Sequence, residues 1–377
     1  MTRWQRRTSN KRGRHFRNGK ELRKLIRESF NKLLMRPAIL FSLVAEIATA
    51  LSTAHSAPLE TPESHRPLLL AQAPAATASA GGASLTQRKP PERLPPLCDM
   101  QAGDRYEGED GGLYGGGFNT PPDAHANSAK TQLARIRPLD PQGNPSESGK
   151  IVFVAISMSN ATQEFSLFKQ LADASPQKSS SLIIVDCAQG GQAMAEWVPA
   201  NSPPWSEATR RLAQAQVTPA QVQAAWIKLA NKRPGGSFQE HARKLESDTL
   251  AVLHNARALF PNLRIAYLGS RTYGGYATGP LNPEPYAYES AFPARWLIQR
   301  QIKGDPELAE PKSPLLLWGP YLWADGAKGR KFDNLVWERS DFAQDGVHPT
   351  RSGREKVSKL LFDFFTRNVL AKSWFAN

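Results

Sequence analysis

Lys150-Ile-Val-Phe-Val-Ala-Ile-Ser-Met-Ser-Asn160 is the stretch whose reading decides the fold. Its first seven residues form a continuous apolar, β-branched run, as expected of a strand buried on both faces rather than one. A turn follows, and Asn160 opens a stretch that places Phe165, Phe168, Leu171 and Ala172 on one helical face. Four further apolar runs repeat the signal: Ser181–Asp186, Val222–Lys228, Leu263–Leu268 and Leu315–Gly319. A long amphipathic helix is expected over about 238–260, with Leu250, Leu253, Ala256 and Phe260 at helical spacing. A last helix is expected from about Ser352 to Val369, carrying Val357, Leu360, Leu361, Phe364 and Phe365. Five short apolar strands alternating with helices imply an α/β fold, a parallel sheet covered on both faces. In such sheets ligands bind beyond the carboxyl ends of the strands.

Two of those strand ends carry chemistry. The loop after the first strand reads Ser157-Met-Ser-Asn-Ala-Thr162. A serine at a strand-to-helix turn exposes its hydroxyl above the sheet, beside amides that can stabilise an oxyanion. Ser159 can equally act as a plain helix cap. The loop before the last helix reads Asp341-Phe-Ala-Gln-Asp-Gly-Val-His-Pro-Thr350. Asp345 and His348 stand three apart, a spacing that lets the carboxylate orient the imidazole while the ring reaches a serine. Read alone, Asp345 can also form a local Asx-turn.

Taken together, Ser159 after the first strand and Asp345-Gly-Val-His348-Pro before the terminal helix resemble the SGNH/GDSL-type serine hydrolases, over some 220 residues. The resemblance implies a three-layer flavodoxin-like sandwich with a five-stranded parallel sheet. It implies Ser159 as nucleophile, His348 as base and Asp345 as the orienting acid, with no metal and no cofactor. Other motifs depart from the family's pattern. The family's Gly-Asp-Ser is here Ser157-Met158-Ser159. Its oxyanion glycine after the second strand corresponds to Gly190 or Gly191, of which Gly191 is favoured. Its Gly-x-Asn-Asp after the third strand has no clean match, leaving Lys228 or Asn231 to substitute as donor. Losing one oxyanion donor costs about 10²–10³ in rate, so activity depends on how that gap is filled. Arg271, Tyr273, Tyr286 and Trp323 lie in loops at strand ends and are expected substrate contacts, since Arg clamps carboxylates and aromatics stack on sugar faces. The tyrosines can instead be half-buried loop anchors.

The N-terminal third reads differently. Of the net +14 charge, most sits in residues 1–36, which hold 13 Lys/Arg against two acids, so the remainder is close to neutral and offers no footprint for nucleic acid. Residues 1–57 read as a basic leader with a signal peptide or membrane anchor, the apolar part being 37–57 with Glu46 inside it. Residues 58–96, rich in Pro, Ala, Ser and Thr, read as a disordered linker, and 97–148 as a glycine-rich irregular preamble that packs on the domain, with the cleft as one place for it to do so. The hydrolase-like domain is then 149–377. Cys98 and Cys187 form no metal-ligand pattern, and their spacing leaves a disulfide open. The expected protein is an exported esterase acting on O-acyl groups of a carbohydrate or other polar substrate. The competing expectation is an envelope-associated binding protein that keeps the fold after losing full oxyanion geometry.

Overall fold

Every one of the five apolar runs is a strand, and the alternation they imply is complete. The computed structural model describes residues 88–89 and 94–377. The leader, and most of the stretch read as a linker, lie outside the described residues. In chain order the main elements are α1 (Asp123–Leu133), β1 (Ile151–Ser157), α2 (Ser159–Asp173), β2 (Leu182–Asp186), α3 (Pro203–Gln214), β3 (Val222–Lys228), α4 (Phe238–Leu259), β4 (Ile265–Leu268), α5 (Ala291–Ile302), β5 (Leu315–Trp318) and α6 (Arg351–Arg367). All strands run parallel in the order β2-β1-β3-β4-β5. This is the flavodoxin-like doubly wound sheet, with its topological switch between β1 and β3.

The alternation of β1 explains the layers. Val152, Val154 and Ile156 face one side with Leu212 of α3, Leu253 of α4 and Leu297 of α5. Ile151, Phe153 and Ala155 face the other side with Leu133 of α1, Phe165 of α2 and Leu361 of α6. Helices on both faces make the three-layer sandwich. Local chemistry starts the helices where the pattern demands them. For α4, Ser237 Oγ accepts from the Glu240 amide while Glu240 Oε2 accepts from the Ser237 amide at 2.8 Å, a reciprocal cap.

Residues 97–148 are ordered by the domain rather than by themselves. Tyr106 packs edge-on to Phe238 and Tyr288, and its hydroxyl donates to Glu289 at 2.5 Å. Arg295 of α5, fully buried, ion-pairs with Glu109 and with Asp110 at 3.1 Å and donates to the Asp110 carbonyl at 2.6 Å. The preamble thus docks on α5 and on the β5 edge, where Trp318 Nε1 donates to the Leu113 carbonyl at 2.6 Å. It packs on the domain, as expected, but contributes no residue to the cleft of Ser159. The contacts also begin before residue 97: Leu94 is buried in the core, and Arg88 ion-pairs with Glu289. The two cysteines are both free and buried. Among the described residues no helix is long and apolar enough to cross a membrane.

Arg295→Met should cost about 2–3 kcal/mol, because it leaves the preamble's carbonyls and carboxylates without their donor. Guanidinium-chloride denaturation reads this. A loss below about 0.5 kcal/mol, the range of ordinary surface substitutions, would mean that the preamble is not held through Arg295.

Candidate active site

The carboxyl ends of β1 and β3 open on a cleft of about 300 Å³, lined among others by Ser159, Asn160, Gly191, Arg271, Asn282 and His348. Other clefts are larger, one of about 620 Å³ near Asp104 and Lys328, but they lack a nucleophile beside a base. The switch point of the sheet is where a ligand site belongs.

Ser159 stands at the first position of α2, directly after β1; Met158, not Ser159, occupies the capping position. Its Oγ lies 2.8 Å from His348 Nε2. His348 Nδ1 lies 2.5 Å from Asp345 Oδ2, and Asp345 Oδ1 accepts from the amides of Val347 and His348 at 3.0 Å each. The Asx-turn and the orienting role are therefore compatible: one carboxylate oxygen closes the turn and the other holds the ring. Partial burial opposes ionisation of Asp345, but the hydrogen bond from His348 and the two amides outweigh it and hold the carboxyl below its ordinary value. Gly346 makes this loop possible. It sits at φ +68°, and a Cβ there would lie 1.8 Å from the Tyr276 carbonyl oxygen.

Gly191, at φ +77°, brings its backbone to the rim of the cleft from the loop after β2. Among the described residues the Gly191 amide donates no hydrogen bond, which leaves it free for an acceptor in the cleft, while the Ser159 amide faces the Gln189 carbonyl across the Met158–Gln189 bridge. Gly190 is exposed and does not line the cleft, which separates the two glycines that the sequence left side by side. Asn231 does not line it either; its carbonyl accepts from Asn282 Nδ2 at 2.6 Å. Lys228 is not a free donor. It is completely buried and ion-paired with Glu164 at 2.5 Å, beneath the β1–α2 turn. Burial pushes its ammonium down to about 8, with Glu164 opposing and Arg271 adding to the shift.

Of the four expected substrate contacts only Arg271 lines the cleft. Trp323 is fully buried, with its Nε1 donating to Glu284 at 2.7 Å. Tyr286 is fully buried against His241, its ring centroid 5.0 Å away. Tyr273 packs edge-on to Tyr276 and is half-buried. These three are anchors of the loops after β4 and β5 and not contacts. The strand-end rule selects loops; it says nothing about which side chains in them turn inward. The sequence reading missed Asn160 and Asn282. Both are buried and line the cleft, and each leaves a side-chain atom, Asn160 Nδ2 and Asn282 Oδ1, without a partner. An orphaned amide gives no sequence signal.

No protein-family model matches the chain, and no curated protein matches it. Among solved structures it is similar to a Bacteroides fragilis chain provisionally named an acylhydrolase, at 13% identity with a TM-score of 0.33, over 64% of this chain and 95% of that one. It is also similar to a salicylyl-acyltransferase from a tetracycline biosynthetic pathway, at 12% identity with a TM-score of 0.31, over 58% of this chain and 54% of that one.

Proposed function

We propose that the protein is a serine esterase of the SGNH/GDSL type, exported, acting on O-acyl groups of a carbohydrate or other polar substrate. The observation that carries this reading is the continuous chain Ser159 Oγ–His348–Asp345, with both hydrogen bonds at 2.8 Å or less. In the first half-reaction Ser159 Oγ attacks the acyl carbonyl and gives its proton to His348 Nε2. The negative charge that develops on the carbonyl oxygen is taken by the Gly191 amide at the rim of the cleft. The tetrahedral species collapses, the ester C–O bond breaks, and the leaving alkoxide takes the proton from His348. Water then repeats the sequence with His348 as base, which releases the carboxylic acid and restores Ser159. If an alcohol replaces water in that second step, the same site transfers the acyl group. Asp345 keeps Nδ1 protonated, so that Nε2 presents a lone pair to the serine.

The basic leader and short apolar run of residues 1–57 support export, with anchoring through 37–57 if they are not cleaved. The near-neutral remainder supports a small polar substrate rather than nucleic acid. The loop after β3 brings only Lys232 to the cleft, where Glu196 already holds it at 2.5 Å, and this favours a second reading, a protein of the same fold that binds an ester without turning it over.

One experiment separates the two. A fluorophosphonate probe, which phosphonylates an activated serine with loss of fluoride, is expected to label the intact protein and not Ser159→Ala. Equal labelling of both proteins, or of neither, would remove Ser159 as a nucleophile and leave the binding reading.

A further inference from the structure

Arg271 is the group that the reaction as described does not use. It follows β4, is only 4% exposed, and still lines the cleft of Ser159 and His348. A guanidinium carries five N–H donors and stays charged in proteins. Among the described residues, Arg271 spends them on one weak contact, Nη1 to Met158 Sδ at 3.8 Å, and its Nε is buried with no partner. Two carboxylates act on it from a distance, Glu164 and Glu284, but both are taken. Glu164 holds Lys228 at 2.5 Å. Glu284 accepts from the Gly274 amide at 2.7 Å, the Tyr288 amide at 2.9 Å and Trp323 Nε1 at 2.7 Å. The protein treats its other buried guanidiniums differently. Arg295 is paired with Glu109 and Asp110, and Arg330 with Asp333 at 2.6 Å.

A buried cation without a hydrogen-bonded counter-charge is costly, and such a group is kept where something outside the chain completes it. We propose that Arg271 receives a carboxylate of the substrate, and that the natural substrate is an ester bearing a carboxylate a few bonds from the scissile carbonyl, as in a half-ester of a short dicarboxylic acid. The inference rests on the reading of Ser159 as nucleophile only for which bond is cut. The carboxylate site itself stands on Arg271. A planar guanidinium matches a carboxylate in a two-pronged geometry, which fixes orientation as well as charge. The volume of about 300 Å³ is at the small end for ligand clefts and suits a short acyl chain. The remaining polar groups of the cleft are consistent with a small, oxygen-rich ligand. Asn160 Nδ2 is an unpartnered donor and Asn282 Oδ1 an unpartnered acceptor, while Lys232 at the rim is occupied by Glu196 at 2.5 Å.

The test compares 4-nitrophenyl acetate with the 4-nitrophenyl half-ester of succinic acid, on the intact protein and on Arg271→Gln. The intact protein should prefer the succinyl half-ester, and Arg271→Gln should lower that preference about 10- to 100-fold, mainly through KM. A loss shared equally by both esters, with the preference unchanged, would assign Arg271 to the oxyanion or to stability and overturn the proposal. The second arm needs no turnover and no variant. Calorimetric titration of the intact protein with succinate should show binding, and titration with neutral succinamide should not. No difference between the two overturns the proposal even if esters are hydrolysed. Succinate binding without ester turnover keeps the carboxylate site and removes the nucleophile reading, so the two failures are distinguishable.

Discussion

Ser159→Ala and His348→Ala should each lower kcat for a short acyl ester by about 10⁴- to 10⁶-fold, and Asp345→Ala by less, about 10²- to 10⁴-fold. The ordering follows from the geometry. In the proposed reaction the serine supplies the bond-forming atom and the imidazole moves every proton, so removing either ends the covalent route. Asp345 only orients a ring, and with its side chain 40% exposed, water can substitute for part of that role. The three effects should not add, because the residues act as one unit: the double variant Ser159→Ala/His348→Ala should be no slower than either single one. Stability should change by less than about 1 kcal/mol in each, since all three sit in partly exposed loops or at a helix start. Burst and steady-state kinetics with 4-nitrophenyl acetate measure the rates, and urea titration measures the stability. Turnover by Ser159→Ala within tenfold of the intact protein would end the assignment.

The largest loss of stability should come from beneath the site. Glu164→Ala is expected to destabilise the fold by about 3–5 kcal/mol, because it leaves the Lys228 ammonium buried without its counter-charge. Lys228→Met leaves Glu164 as the orphan instead. The double variant Glu164→Leu/Lys228→Met should recover most of the stability, since an apolar pair of similar volume is often neutral or better. Urea midpoints at pH 5 and pH 8 decide it. Single variants that lose under 1 kcal/mol at both pH values would show that the pair is not sealed from water. Catalysis need not follow stability here. Glu164 is on α2, five residues after Ser159, so the recovered double variant also tests whether the pair positions the nucleophile turn.

What was legible in the sequence was what is written in contiguous apolar runs or in short spacings. β1 to β5 were visible because strands buried on both faces need unbroken β-branched stretches. Asp345 and His348 were visible because their partnership is local, and Ser159 because a strand-to-helix turn is a local event. The helices α1, α3 and α5 were not. α1 buries only His125, Ala129 and Leu133, too few for a periodic signal, and α3 opens on Pro203-Pro204. In α5, residues Ala291–Ile298 are all buried, so no polar face alternates with an apolar one, and Pro293 interrupts its first turn. The contacts expected of Tyr286 and Trp323 failed for another reason. Sequence position puts a residue in a loop, but only packing decides whether its ring faces the cleft or the core. The ion pairs Glu164–Lys228 and Arg295–Glu109 escaped because charge buried in a core contradicts the polarity pattern by which cores are found.

Ser159 and His348 are 189 residues apart in the chain. One is fixed by the first strand and helix of the sandwich, and the other by the loop that leads into the last helix. Those two helices, α2 and α6, lie side by side, tied where Ser358 Oγ donates to the Glu164 carbonyl at 2.9 Å. The proposed chemistry is therefore a property of the finished chain topology, since no fragment lacking either element can bring Ser159 and His348 together. It also makes the seam between the two helices a natural fuse. An opening that lifts α6 from α2 by a few ångströms would part Ser159 from His348 while the sheet stayed intact, so under the proposed esterase reading inactivation by mild heat or denaturant should precede loss of helical signal.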